Sequence, residues 1–424
     1  MRRRQFLAGS AALAGVGAAG SAAAACGQPE IASMRPAVYL VPGYRPDLAF
    51  FRGRPAVESA ELRGRIPARY DGPLTLLTRI DEADGSVRRA LMPLRGHAIS
   101  VRPGGGLAVW NSMEGATLVS FDPASLELGQ MRGFEGEAMV GGGHAVFLAD
   151  GLVAIAERKQ RQSYTGRPAD HYGQVTIREA ESLRVLESFS SHGMAPHDMV
   201  LIDGGGQVAI AHYGSHVAEG AWRPQIAEPC IAILELGSGK LVEKLRPSET
   251  GAELRHLAGI SADRLAAVLV RRGSADEEAG LLASRSEVYE PDTSPWDEGA
   301  FLPAPVVGFA REGRWQRLPP DALLARQAQT ILYDRVSDEF IATFTSSHAI
   351  GVFAAADGRV KRMIQADRLG LRYPRGLALH PDGLHYAASG SWRDLMLFRR
   401  GSHEAVAGRA IPAVLFEHSH MTAV

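Results

Sequence analysis

Gly96-His97-Ala98-Ile99, Gly143-His144-Ala145-Val146, Pro196-His197-Asp198-Met199 and Arg255-His256-Leu257-Ala258 each open a short apolar run in this chain. A polar or Gly-rich turn and a second apolar run follow, as in Asp150-Gly151-Leu152-Val153-Ala154-Ile155 and Gly204-Gly205-Gly206-Gln207-Val208-Ala209-Ile210. One hairpin is written four times with histidine at the same place. Two further copies lack the histidine: Gln329-Thr330-Ile331-Leu332 leading to Phe340-Ile341-Ala342, and Arg375-Gly376-Leu377-Ala378 leading to Tyr386-Ala387-Ala388. Successive copies begin 47, 53, 59, 74 and 46 residues apart. Short strands and turns recurring in units of roughly 40–50 residues are the signature of propeller blades. The longest interval contains a polar stretch at about 273–300, expected as a loop insertion.

Composition agrees with an all-β chain. The 424 residues include 47 Gly and 24 Pro, and 46% are hydrophobic, which favours many turns and short strands over long helices. Lys and Arg (46) balance Asp and Glu (47), so the chain carries no electrostatic footprint for nucleic acid or anionic lipid. Two cysteines do not make a disulfide framework; Cys230, before Ile231-Ala232-Ile233, reads as a small buried hydrophobe.

Residues 1–26 read as an export signal: Arg2-Arg3-Arg4, then Gln5-Phe6-Leu7, an Ala/Gly-rich apolar run and a small-residue stretch ending at Cys26. Arg3-Arg4 followed by Gln5-Phe6-Leu7 resembles the twin-arginine type, which implies a periplasmic location. Ala23-Ala24-Ala25-Cys26 resembles a degenerate lipobox, so Cys26 is a candidate lipid anchor and the expected membrane contact. Gly15-Val16-Gly17-Ala18-Ala19-Gly20 matches G-x-G-x-x-G but follows no strand and lies inside this signal, so it is no dinucleotide site. No later segment offers a P-loop, CxxC, HExxH or GxSxG. The expected organisation is therefore signal 1–26, linker 27–36 and propeller 37–424.

The inner strand of each blade lines the central channel, so a residue repeated at one blade position recurs around one axis. His97, His144, His197 and His256 are thereby candidate metal or haem ligands, since converging imidazoles suit transition metals. His192, Asp198, Glu157 and His212 are candidate supporting residues, lying close to them in sequence or at the end of the return strand. The structural alternative is that each ring stitches one blade to the next. His348, His380, His385 and His403 read as surface or satisfied turn residues, and the tail His418-Ser419-His420 as a disordered end able to bind metal adventitiously.

Gly143 to Gly151, Ser191 to Met199 and Arg255 to Ala258 resemble an exported bacterial family known as DUF1513. Two features depart from its usual pattern: Asp198 stands where Glu is common after the Pro-His pair, and the 273–300 insertion is long. The resemblance implies a seven-bladed propeller and a role in iron or haem acquisition. It also implies imelysin-type and di-haem peroxidase-like periplasmic partners, with iron, haem or another transition metal as candidate cofactor. It carries over no catalytic residues. The seventh blade is expected from Ala37-Val38-Tyr39-Leu40-Val41 with Leu74-Thr75-Leu76-Leu77, closed by strands from both chain ends. The favoured function is a binding or accessory protein. The alternatives are a metal-dependent propeller enzyme, hydrolase or oxidoreductase, and a docking scaffold with structural histidines.

Overall fold

The computed structural model describes residues 36–424 except 44–45, 48, 137, 150, 161–163, 217–224, 250, 275, 278–279, 281–299, 312, 391–392, 408–410 and 415–419. The signal, Cys26 and most of the 273–300 insertion lie outside the described residues. Seven antiparallel sheets follow one another along the chain as the blades of a β-propeller. Their innermost strands are Gly96–Val101, Met139–Phe147, Pro196–Ile202, Glu253–Ser261, Ala328–Asp334 and Pro374–Leu379 for blades 1 to 6, and Thr422–Ala423 for blade 7. Blade 7 then continues through Val38–Gly43, Thr75–Asp81 and Val87–Met92, so it contains a strand from each end of the chain. From the insertion, Ala300–Leu302 adds a short fifth strand against Arg264–Gly273 of blade 4.

Period-two alternation explains how the blades stack. In the second strand of blade 3, Val208 and Ile210 pack toward blade 2 with Ala154, Ala156 and Val175. Ala209 and Ala211 face the other way, toward Leu254, Leu257 and Leu265 of blade 4. A strand covered on both faces reads as a continuous apolar run, as Val208-Ala209-Ile210-Ala211 does. Each of the seven blade-to-blade interfaces has its own hydrophobic cluster, and Trp110 anchors the one between blades 7 and 1. The outer strands alternate less strictly and turn polar side chains outward, as in Leu128–Gly133 of blade 1.

A second regularity is not visible in the residue pattern: the inner strands of blades 1 to 6 carry a β-bulge at one level. In blade 1 the register passes from Gly96↔Ser112 to Ile99↔Trp110, leaving His97 and Ala98 opposite one residue. Blade 3 does the same at His197-Asp198, and blade 5 at Gln329-Thr330. The extra residue is Arg255 in blade 4 and Arg375 in blade 6. Blade 2 has the largest bulge, with Gly142-Gly143-His144 between Gly141↔Glu157 and Ala145↔Ile155. A bulge bends its strand and re-aims the side chain it carries.

Candidate metal centre at the propeller axis

The bulges aim His97, His144, His197 and His256 at a common point, and His420, immediately before the inner strand of blade 7, joins them. One ring nitrogen from each of the five lies within 4.8 Å of all the others. The Nε2–Nε2 separations are 3.0 Å for His420–His97, 3.1 Å for His97–His197 and 3.0 Å for His197–His256. Ring centroids around the circuit His97, His197, His256, His420 stand 4.7, 4.7, 4.6 and 4.5 Å apart. His97 and His256 face each other across it at 6.0 Å, nearly parallel. His144 lies 5.2, 4.8, 5.3 and 4.8 Å from His97, His197, His256 and His420. Four imidazoles thus form a square, and the fifth caps it. His420, expected in a disordered tail, is a correction: it completes the square.

In two of the rings the outer nitrogen orients the inner one. His144 Nδ1 donates to Asp198 Oδ1 at 2.7 Å. The Asp198 carboxylate also accepts the Met199 N–H at 2.8 Å and the Leu257 N–H at 3.1 Å. His197 Nδ1 donates to the Gly142 carbonyl at 2.6 Å. In the tautomer with its one N–H on Nδ1, each of these two rings presents its Nε2 lone pair to the cluster. His144 Nε2 is buried without a hydrogen-bonding partner among the described residues. Burial, and then the other histidines of the cluster, push His97 and His256 well below the ordinary imidazole range. His197 moves the same way, burial again being the main cause and His144 the next. Burial thus favours the neutral form of these three rings.

Gly143 makes the approach possible. Its φ is +110°, and a Cβ there would fall 2.8 Å from both His97 Cδ2 and His197 Cε1. Tyr213 packs against His197 at 4.7 Å between ring centroids. The Arg158 and Arg255 guanidinium groups lie 5.1 and 5.4 Å from the Tyr213 ring. A cavity of about 430 Å³ lined by His144, Asp198, His256, Thr330, Tyr333 and His420 reaches the cluster.

The other supporting candidates sit elsewhere. Glu157 is fully buried in blade 2 and spends its carboxylate on Arg178 at 2.8 Å, Gln174 at 2.8 Å and the Thr176 hydroxyl. His212 is buried under Gly193, and burial lowers its pKa to about 3. His192 lies on the outermost strand of blade 2, where its N–H donates to Ser190 Oγ at 3.1 Å. None of the three belongs to the five-ligand group. His380 is a satisfied, buried turn residue that joins blade 6 to Glu82 of blade 7 at 2.7 Å.

Fold and site together define a seven-bladed propeller with an axial five-histidine cluster. The chain belongs to the DUF1513 family, described as a protein of unknown function, whose model matches residues 90–301. The match covers all four histidine-bearing hairpins, with blades 1 to 3 complete and the two inner strands of blade 4. Among solved structures, the chain is similar to Kuenenia stuttgartiensis hydrazine synthase, with 11% identity and a TM-score of 0.53. That likeness covers 83% of this chain and 99% of the other, and it concerns the fold alone. No curated protein matches the sequence.

Proposed function

We propose that this propeller is a metal-binding protein that holds one first-row transition-metal ion among His97, His144, His197, His256 and His420. The observation that carries the reading is the convergence of Nε2 lone pairs, two of them locked inward by Asp198 and Gly142, where no proton donor satisfies His144 Nε2. Adjacent ligands around an ion in square-pyramidal or octahedral geometry, with metal–nitrogen bonds of about 2.1 Å, stand about 3.0 Å apart, against about 3.4 Å for a tetrahedron. The separations of 3.0 to 3.1 Å match the first case. Tetragonal nitrogen sites suit copper or nickel, and imidazole also suits iron; zinc favours four tetrahedral ligands.

A bare ion is preferred to haem. A haem iron takes its protein ligands only along the axis of the macrocycle, and four rings 4.5 to 4.7 Å apart around one point leave no slab for a porphyrin. The wider setting, an exported periplasmic accessory protein of iron acquisition working with imelysin-type and di-haem peroxidase-like partners, rests on the Arg3-Arg4 signal and the family resemblance. A metal-dependent oxidoreductase is the second reading, favoured by the cavity that reaches His144.

The test is to strip the protein with chelator, load it separately with iron(II), cobalt(II), nickel(II), copper(II) and zinc(II), desalt and measure bound metal. One ion per chain is expected, with loss in His97→Ala and His197→Ala variants that remain folded by circular dichroism. A folded protein that retains none of the five ions would make the histidines structural.

A further inference from the structure

A second cavity lies away from the axis, over the seam between blades 7 and 1. It holds about 600 Å³. Its walls are the outermost strand of blade 7, Val87–Met92, the short helix Ala60–Arg63 with the hairpin that precedes it, and residues 125–128 of blade 1. The floor is apolar: Leu62, Leu91 and Leu128 belong to the buried cluster of that seam. Above it stand five arginines, Arg52, Arg63, Arg65, Arg88 and Arg89. Two glutamates, Glu61 and Glu127, face them, which leaves a surplus of three positive charges, five less two. Because the whole chain is nearly neutral, that surplus is a local feature.

Both glutamates are engaged at the rim. Glu61 pairs with Arg52 at 2.8 Å and Glu127 with Arg65, all four side chains being more than half exposed. Ion pairs so open to water are weak. Arg63 and Arg88 donate instead to backbone carbonyls, Tyr70 O at 3.4 Å and Ala124 O. Those bonds place two guanidinium groups without cancelling their charge. Arg89 is half-buried, and the loss of water around it draws its pKa below the usual arginine value. Asp122, just outside the lining, turns its carboxylate to the Ala124 and Ser125 N–H groups at 2.7 and 2.9 Å. We infer that this groove binds a small polyanion, a molecule with two or more phosphate or carboxylate groups, held by Arg63, Arg88 and Arg89. A planar guanidinium matches either oxyanion in bidentate geometry. The volume falls within the range of small-molecule sites, about 300–1,000 Å³. Glu61 and Glu127 occupy Arg52 and Arg65 until a ligand with more than one negative charge outcompetes them, which selects against monoanions. The site is separate from the axial histidines and stands whether or not they hold an ion.

The experiment is isothermal titration calorimetry on the chelator-stripped, desalted full chain, so that no axial ion competes for the probe. Pyrophosphate, citrate and acetate are titrated at equal ionic strength. One pyrophosphate or one citrate per chain is expected, bound about tenfold or more tightly than acetate, and the tighter of the two identifies phosphate or carboxylate as the class. Arg63→Gln and Arg88→Gln should each weaken that binding about tenfold, the loss expected for one charge-assisted hydrogen bond, while keeping the native circular dichroism spectrum. Glu61→Gln should strengthen it, because Arg52 is then released to the ligand. No saturable binding, equal binding of all three anions, or polyanion binding that neither arginine substitution weakens would overturn the site.

Discussion

Asp198→Asn isolates the hydrogen bond that aims His144. In the native chain the carboxylate accepts from three donors at once: His144 Nδ1 at 2.7 Å, Met199 N at 2.8 Å and Leu257 N at 3.1 Å. Asparagine has one accepting oxygen. If that oxygen stays on His144 and Met199, as Oδ1 does now, the new amide faces the Leu257 N–H with a donor. If it turns to Leu257, the amide faces His144 Nδ1–H, which must then flip its tautomer and place a proton on Nε2. Either way the imidazole loses the anionic partner that raises its basicity. Outer-shell losses of this sort weaken metal binding about 10- to 100-fold, or about 1.4 to 2.7 kcal/mol. The assay is a competition titration against a chelator of known affinity at pH 7.5, with urea unfolding of the apo protein in parallel. The apo variant should lose about 1–3 kcal/mol from the mismatched donor. A metal affinity within twofold of wild type would refute the role given to Asp198.

Three other outcomes follow from the same geometry. Gly143→Ala places a methyl between His97 and His197 in a left-handed conformation, so urea unfolding should show a loss of about 2–5 kcal/mol from backbone strain plus overpacking; an unchanged midpoint would mean the rings move apart freely. Glu157→Ala leaves the buried Arg178 guanidinium uncompensated and should destabilise by about 3–5 kcal/mol while metal stoichiometry stays at one. Loss of the ion instead would place Glu157 in the metal site after all. The histidines His97, His197, His256 and His212 have depressed folded-state pKa values, His212 to about 3. The unfolded chain therefore binds more protons than the folded one as pH drops below about 6.5, and each such histidine removes up to about 1.4 kcal/mol per pH unit. That stability is present above pH 6.5 and lost in acid, so the apo urea midpoint should fall clearly between pH 7.5 and 5.5. A flat profile would mean that these rings do not titrate on unfolding.

Blades 1 to 6 and four of the five axial histidines are legible in the sequence, because each sits in a hairpin whose two strands are neighbours along the chain. His420 is not, for a topological reason. Its strand has two residues, and the partner strand starts at Val38, so no local hairpin exists to align with the others. The bulges are equally silent: they are a mismatch between strands, and only the pairing shows that His97-Ala98 faces one residue. Asp198 could be read as a supporting group because it shares a bulge with His197. Glu157 and His212 could be placed near the bulges but not aimed. They pair with Gly141 and Pro196, one step outside the bulged residues, and their side chains enter the blades.

The pairing of Tyr39 with Ala423 sets a schedule for the nascent chain. At about 5–20 residues per second, the ribosome takes about 20–80 s to deliver the partner of this strand. Through that interval Val38–Gly43 has Thr75–Asp81 on one side and an open row of backbone donors and acceptors on the other. An open strand edge recruits other chains. Translation speed and chaperone occupancy of this edge therefore bear on the yield of this propeller. A circular permutant that opens the chain between blades 3 and 4 would exchange that long wait for a local hairpin.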